Sequence, residues 1–148
     1  MAENITTHNA MQYLKNQSFN AKQVKYSNVP PQWIPATQYS DKTANGLTRC
    51  IIDFLTLQGW QAERINNTGR IVSGRWIKGT GKDGTADISA TISGRSAKIE
   101  VKIGRDRQSI KQAQYQAAIE AAGGLYVIAR TFQGFIDWYL FTFKIPLK

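Results

Sequence analysis

The chain has little of what most soft-metal and nucleophilic chemistry requires. It holds one cysteine, Cys50, and one histidine, His8. A single cysteine makes no intramolecular disulfide. His8 stands in an N-terminal stretch that reads as an appendage, which argues against a cysteine–histidine dyad and against a histidine–cysteine zinc site. Cys50 falls in the apolar stretch CIIDFLTLQGW and reads as a buried core thiol. No apolar run is long enough to span a bilayer. The start, MAENITTHNAMQYLKNQSF, lacks the basic beginning and apolar middle of a signal peptide. Repeats and low-complexity tracts are missing too. Acids are scarce, with 10 Asp and Glu against 19 Lys and Arg, for a net charge of +9. That balance serves solubility or attraction to a polyanionic partner, and charge alone does not choose between them. No basic amphipathic helix stands out that would favour a membrane surface instead. Any chemistry must then run on carboxylates, lysines and a hard divalent metal.

What is present is a folding chain of one-domain length. The 148 residues include 6 Phe, 6 Tyr and 4 Trp, too apolar a set for disorder. Residues 1–43 read as an N-terminal extension, with a short helix over 7–18. The proline-interrupted NVPPQWIPATQYS follows, pinned to the core by Trp33, Ile34 and Tyr39. Residues 44–148 read as the compact domain. TANGLTRCIIDFLTLQG places Leu47, Cys50, Ile51, Phe54 and Leu55 at helical spacing before a glycine stop. WQAERIN is a strand and NTG a turn, whereas RIVSGRWIKGTGKDG is less regular and ends as a glycine-rich loop. TADISATI and SAKIEVKIG make a hairpin. A helix follows over 110–122, capped by Ser109 and ended by Gly123 and Gly124. LYVIAR reads as a buried, parallel strand, and FIDWYLFTF as a last strand or helix, with strand favoured. The fold class is α/β, with a mixed sheet between helices.

Strand alternation sets the hairpin's polar face. Ile88, Ala90 and Ile92 share one face with Ile99, Val101 and Ile103; Asp87, Glu100 and Lys102 fall on the other. A two-residue turn at Ser93-Gly94 puts Asp87 opposite Glu100, and one at Gly94-Arg95 puts it opposite Lys102. Either register gathers all three. Ordinary cross-strand ion pairs would be worth under about 1 kcal/mol each. Two carboxylates facing each other are costly, however, unless a cation lies between them.

GTAD at 84–87 followed by EVK at 100–102 resembles the signature of the PD-(D/E)XK nuclease superfamily, with Ala86 where proline is usual. SIKQAQYQAAIEAAGG and GWQAERINNTGR are similar to its virus-type replication-repair nuclease (VRR-NUC) branch, which has small phage and bacterial members. The resemblance covers residues 45–130. It implies a restriction-endonuclease-like αβββαβ core. It implies an endonuclease that hydrolyses DNA phosphodiester bonds in replication, recombination or repair, structure-selectively, with RNA not excluded. It implies Mg²⁺ or Mn²⁺ held by Asp87, Glu100 and the backbone carbonyl of Val101. Lys102 would orient or activate water or stabilise charge at phosphorus, with Gln112 beside it. A homodimer and a cytoplasmic setting, in a bacterial or phage-infected cell, are implied as well. The chain departs from the pattern in lacking a glutamate on its first domain helix, where Asp53 is the only acid. That leaves a second metal ion without its ligand and keeps a rival open, a non-catalytic nucleic-acid-binding module of the same fold. Gln112 also completes a capping box with Ser109, so its role is catalytic or structural, and Gln114 is a weaker candidate. Arg64, Arg70, Arg75, Lys78, Lys82, Arg105, Arg107 and Lys111 flank the hairpin as candidate phosphate contacts.

Overall fold

A computed structural model describes residues 9–65, 69–79 and 81–148. His8, and Asn67 and Thr68 of the expected turn, lie outside the described residues. In chain order the elements are α1 (Ala10–Lys25), a 3₁₀ turn (Pro31–Trp33), α2 (Ala44–Leu57), β1 (Gln61–Arg64), β2 (Arg70–Val72), β3 (Arg75–Ile77), β4 (Ile88–Ile92), β5 (Arg95–Val101), α3 (Ile110–Ala121), β6 (Leu125–Ala129) and α4 (Phe132–Phe143).

The core is assembled round α2. Thr43 caps it by accepting from the Gly46 N–H, and Leu47, Cys50, Ile51, Phe54 and Leu55 form the buried stripe their spacing dictates. Phe54 meets the rings of Tyr13, Phe132, Phe135 and Tyr139 at 5.1–6.4 Å. The sheet runs β1-β4-β5-β6, antiparallel except for the parallel β5–β6 pair that α3 connects. The fold is therefore α/β with a mixed sheet. Ile88, Ala90, Ile92, Ala97, Ile99 and Val101 present one sheet face to this core. α3 buries none of its residues fully, so the opposite face is covered thinly and by polar groups. That asymmetry is what leaves room for a site.

The structure corrects several expectations. FIDWYLFTF is a helix, not a strand. Thr131 caps it, and Phe132, Phe135, Ile136 and Tyr139 recur at helical spacing and are buried. The aromatic content that favours strands was outweighed by this periodicity. Trp33 is 73% exposed and pins nothing, whereas Ile34 is buried and the Tyr39 hydroxyl donates to Asp53 at 2.7 Å. The first helix runs on to Lys25 and contributes Ala10, Tyr13 and Leu14 to the same core as α2. Residues 70–77, read as irregular, form a two-stranded ribbon, β2–β3, apart from the main sheet.

Candidate active site

Ser93 and Gly94 both have positive φ, 50° and 77°. That is the two-residue hairpin turn whose twist matches its strands, and it fixes the register. Ile88 pairs with Ile99, so Asp87 and Glu100 are the next residues outward, facing each other across the hairpin mouth. The alternative register, with Asp87 opposite Lys102, is not adopted.

Glu100 is 2% exposed and Lys102 6%. The Glu100 Oε1 atom is fully engaged. Gln112 Nε2 donates to it at 2.6 Å, and Lys102 Nζ lies 3.1 Å away. The other oxygen, Oε2, is buried without a hydrogen-bond partner among the described residues. Burial, then the Asp87 charge opposite, pushes the Glu100 carboxyl above its ordinary value, against the pull of Lys102. Asp87 is half-buried and accepts the Val101 N–H through Oδ2 at 2.8 Å. This bond fastens the carboxylate where the ladder ends. Lys102 also reaches Asp106 Oδ2 at 3.6 Å.

Gln112 completes the foreseen capping box and also reaches the carboxylate. Its Oε1 accepts the Ser109 N–H at 2.9 Å while Ser109 caps the helix, and its Nε2 holds Glu100. One side chain thus ties the start of α3 to the carboxylate. Gly84 makes the adjoining loop fit. A Cβ there would lie 2.5 Å from the Lys111 carbonyl oxygen, so only glycine lets this backbone cross the first turn of α3. Between loop and helix is a cleft of about 410 Å³ lined by Lys78, Lys82, Asp83, Ser109, Lys111 and Gln112. Gln112 both lines it and donates to Glu100, so the cleft borders the carboxylate.

The eight basic candidates are all exposed. Lys78 and Lys111 share Asp83, at 3.0 and 2.7 Å. Lys111 first, then Lys78, holds the Asp83 carboxyl below its ordinary value. Arg64 donates to Asn45 on α2. Arg70 and Arg75 stand on the ribbon, and Arg105 and Arg107 on the turn between β5 and α3. Gln114 is exposed and away from Glu100's contacts. Asp53 is taken by Tyr39 and by Arg49, 3.7 Å distant. Two acids beside these lysines carry no signal in the sequence. Asp106 stands four residues past Lys102 outside any helix, so no periodicity announced it. Asp83 gave no sign beyond being the one acid among lysines.

The donors present suit a hard cation that keeps several of its own waters. They are two carboxylates, one with a buried orphan oxygen. Among the described residues no group of three or more His, Cys, Asp or Glu side chains is placed to hold a metal. The sign of the pH effect follows from the raised Glu100 value. Its contribution to stability is present below the ordinary value of 4.5 and is lost as pH rises through the folded value. A proton and a cation then compete for Glu100. Mg²⁺ affinity by calorimetry is expected to weaken as pH falls toward the ordinary value of 4.5, with each binding event releasing the proton it displaces from Glu100. Affinity independent of pH would remove Glu100 from the ligand set.

No protein-family model, curated protein or solved structure matches the chain. The site stands on its own residues.

Proposed function

We propose that the chain is a Mg²⁺- or Mn²⁺-dependent nuclease with a restriction-endonuclease-like core, hydrolysing phosphodiester bonds in DNA. The observation that carries this is the orphan Oε2 of Glu100, buried beside a second carboxylate and a lysine. A buried carboxylate oxygen left unpaired costs about 1–3 kcal/mol or more, so such an arrangement persists where a ligand completes it. Asp87 and Glu100 would hold the cation, with the Val101 carbonyl beside them. The cation's chemistry is to offset charge on phosphate oxygens and make a bound water more acidic.

The chain's own residues do the rest. Lys102, ion-paired on two sides, offers donors and no acceptor, so it holds a water or a phosphate oxygen rather than taking a proton. Gln112 keeps Glu100 in one rotamer by fixing Oε1 and leaving Oε2 for the cation. Lys78, Lys82 and Lys111 line the bordering cleft with the charge a phosphate backbone needs.

One observation favours a second reading, a nucleic-acid-binding module without chemistry. The only acid on α2, Asp53, is engaged elsewhere, so among the described residues no third carboxylate joins the pair. The test is incubation of the purified protein with branched, flap, duplex and single-stranded DNA, in Mg²⁺, Mn²⁺ or chelator. Cleavage of at least one substrate, abolished by chelator, is expected. Binding without cleavage of any of them would favour the module.

A further inference from the structure

The β2–β3 ribbon has no part in the chemistry, yet it carries the chain's most conspicuous exposed apolar pair. Ile71 and Trp76 lie directly opposite each other, 72% and 67% exposed, and all six residues of the two strands face solvent. Exposed apolar residues scattered singly need no explanation, but a cross-strand pair in the middle of an exposed ribbon does. The indole is also held in place. A Cβ on Gly69 would fall 2.5 Å from Trp76 Cζ2, so the ring lies directly against the glycine backbone while most of its surface stays open. The ribbon and the loop after it are basic in sequence, with Asp83 paired to Lys78 and Lys111 at the loop's end. Between positions 69 and 82 stand Arg70, Arg75, Lys78 and Lys82 and no acid. A fixed, open aromatic face among cations complements a base with its phosphates.

We propose that Trp76, flanked by Ile71, Arg70 and Arg75, is a stacking platform for an unpaired base, so that the DNA held here carries single-stranded character beside the cleaved strand. A continuous duplex keeps its base faces inside the stack and offers the indole nothing; an unpaired base offers its whole face. The ribbon also leads to the site. Lys78, just past β3, shares Asp83 with Lys111, and the next residue, Gln112, holds Glu100. The inference rests on the nuclease reading in taking DNA as the ligand; the platform itself rests on the ribbon's geometry.

The test is a binding titration in chelator, where cleavage cannot intervene. Labelled oligothymidylate and a blunt duplex are compared by anisotropy, with tryptophan fluorescence recorded in parallel. Trp76→Ala is expected to weaken oligothymidylate binding about tenfold or more and to remove most of the fluorescence quenching. Duplex affinity should move by less than about threefold, as phosphate contacts remain. Trp76→Phe should keep most of the single-strand affinity, because it keeps a π face. Equal losses on both ligands, or none on either, would overturn the platform. So would dissociation of a dimer by Trp76→Ala in light scattering, since the occupant would then be a second copy of the chain. If oligothymidylate binding depends on Trp76 but no substrate is ever cut, the platform stands and the nuclease reading falls. If wild type cuts DNA and Trp76→Ala binds oligothymidylate normally, the reverse holds.

Discussion

Lys102→Ala is expected to lower the single-turnover cleavage rate a hundredfold or more while DNA affinity changes by less than about threefold. Lys102 is 6% exposed and sits 3.1 Å from Glu100 Oε1, inside the site rather than on its rim. A positioned donor that strengthens its contact as charge develops is typically worth a factor of a hundred or more, whereas one among many phosphate contacts is worth little. The substitution also strands Glu100, since breaking a buried ion pair costs about 3–5 kcal/mol. Thermal unfolding should therefore be recorded, and Lys102→Met, which keeps the apolar stem, carried alongside. Folded Lys102→Met that cuts as fast as wild type would show that the lysine is structural only.

Asp87→Asn is expected to lose cleavage by a similar factor while leaving the fold intact. Asparagine keeps an oxygen to accept the Val101 N–H, which Asp87 now accepts at 2.8 Å, so the end of the hairpin stays fastened. What goes is one of two negative charges. The Asp87 charge is the second cause raising the Glu100 value, after burial. Removing it lets that value fall, so metal-free Asp87→Asn should gain stability relative to wild type near pH 7–8. The gain should fade as pH falls toward the ordinary Glu100 value of 4.5. Denaturant midpoints across that range check the sign. A variant less stable than wild type at pH 8 would mean that Asp87 is held by its charge, not merely by its hydrogen bond.

How far the site could be read from the chain depends on the range of the forces involved. Hairpin alternation brought Asp87, Glu100 and Lys102 to one face because a strand's period is local, and Ser93-Gly94 set the register because a two-residue turn needs positive φ twice. The same signal stood earlier in the chain and passed unread. VSGR at 72–75 repeats the pattern of ISGR at 92–95, and Ser73 and Gly74 adopt the same positive φ, 50° and 74°. The neighbouring glycines masked a second hairpin. The last helix is not told from a strand by sequence because its aromatics favour strands one at a time, while burial of Phe132, Phe135, Ile136 and Tyr139 together requires a helix. Trp33 was expected inside on hydrophobicity alone, which does not say which side of a proline-rich turn faces the core. The partners of Lys102 and Lys111, Asp106 and Asp83, come from loops whose paths no sequence period encodes. The depth of Glu100 was likewise hidden, since α3 descends on it from the far end of a crossover.

Anomalous diffraction from crystals of wild type and Asp87→Asn grown with Mn²⁺ addresses the site itself. A peak is expected between the Asp87 carboxylate and Glu100 Oε2 in wild type, with Gln112 still on Oε1, and no peak there in Asp87→Asn. A wild-type site without Mn²⁺ at saturating concentration, with Glu100 Oε2 still unpartnered, would contradict the metal assignment.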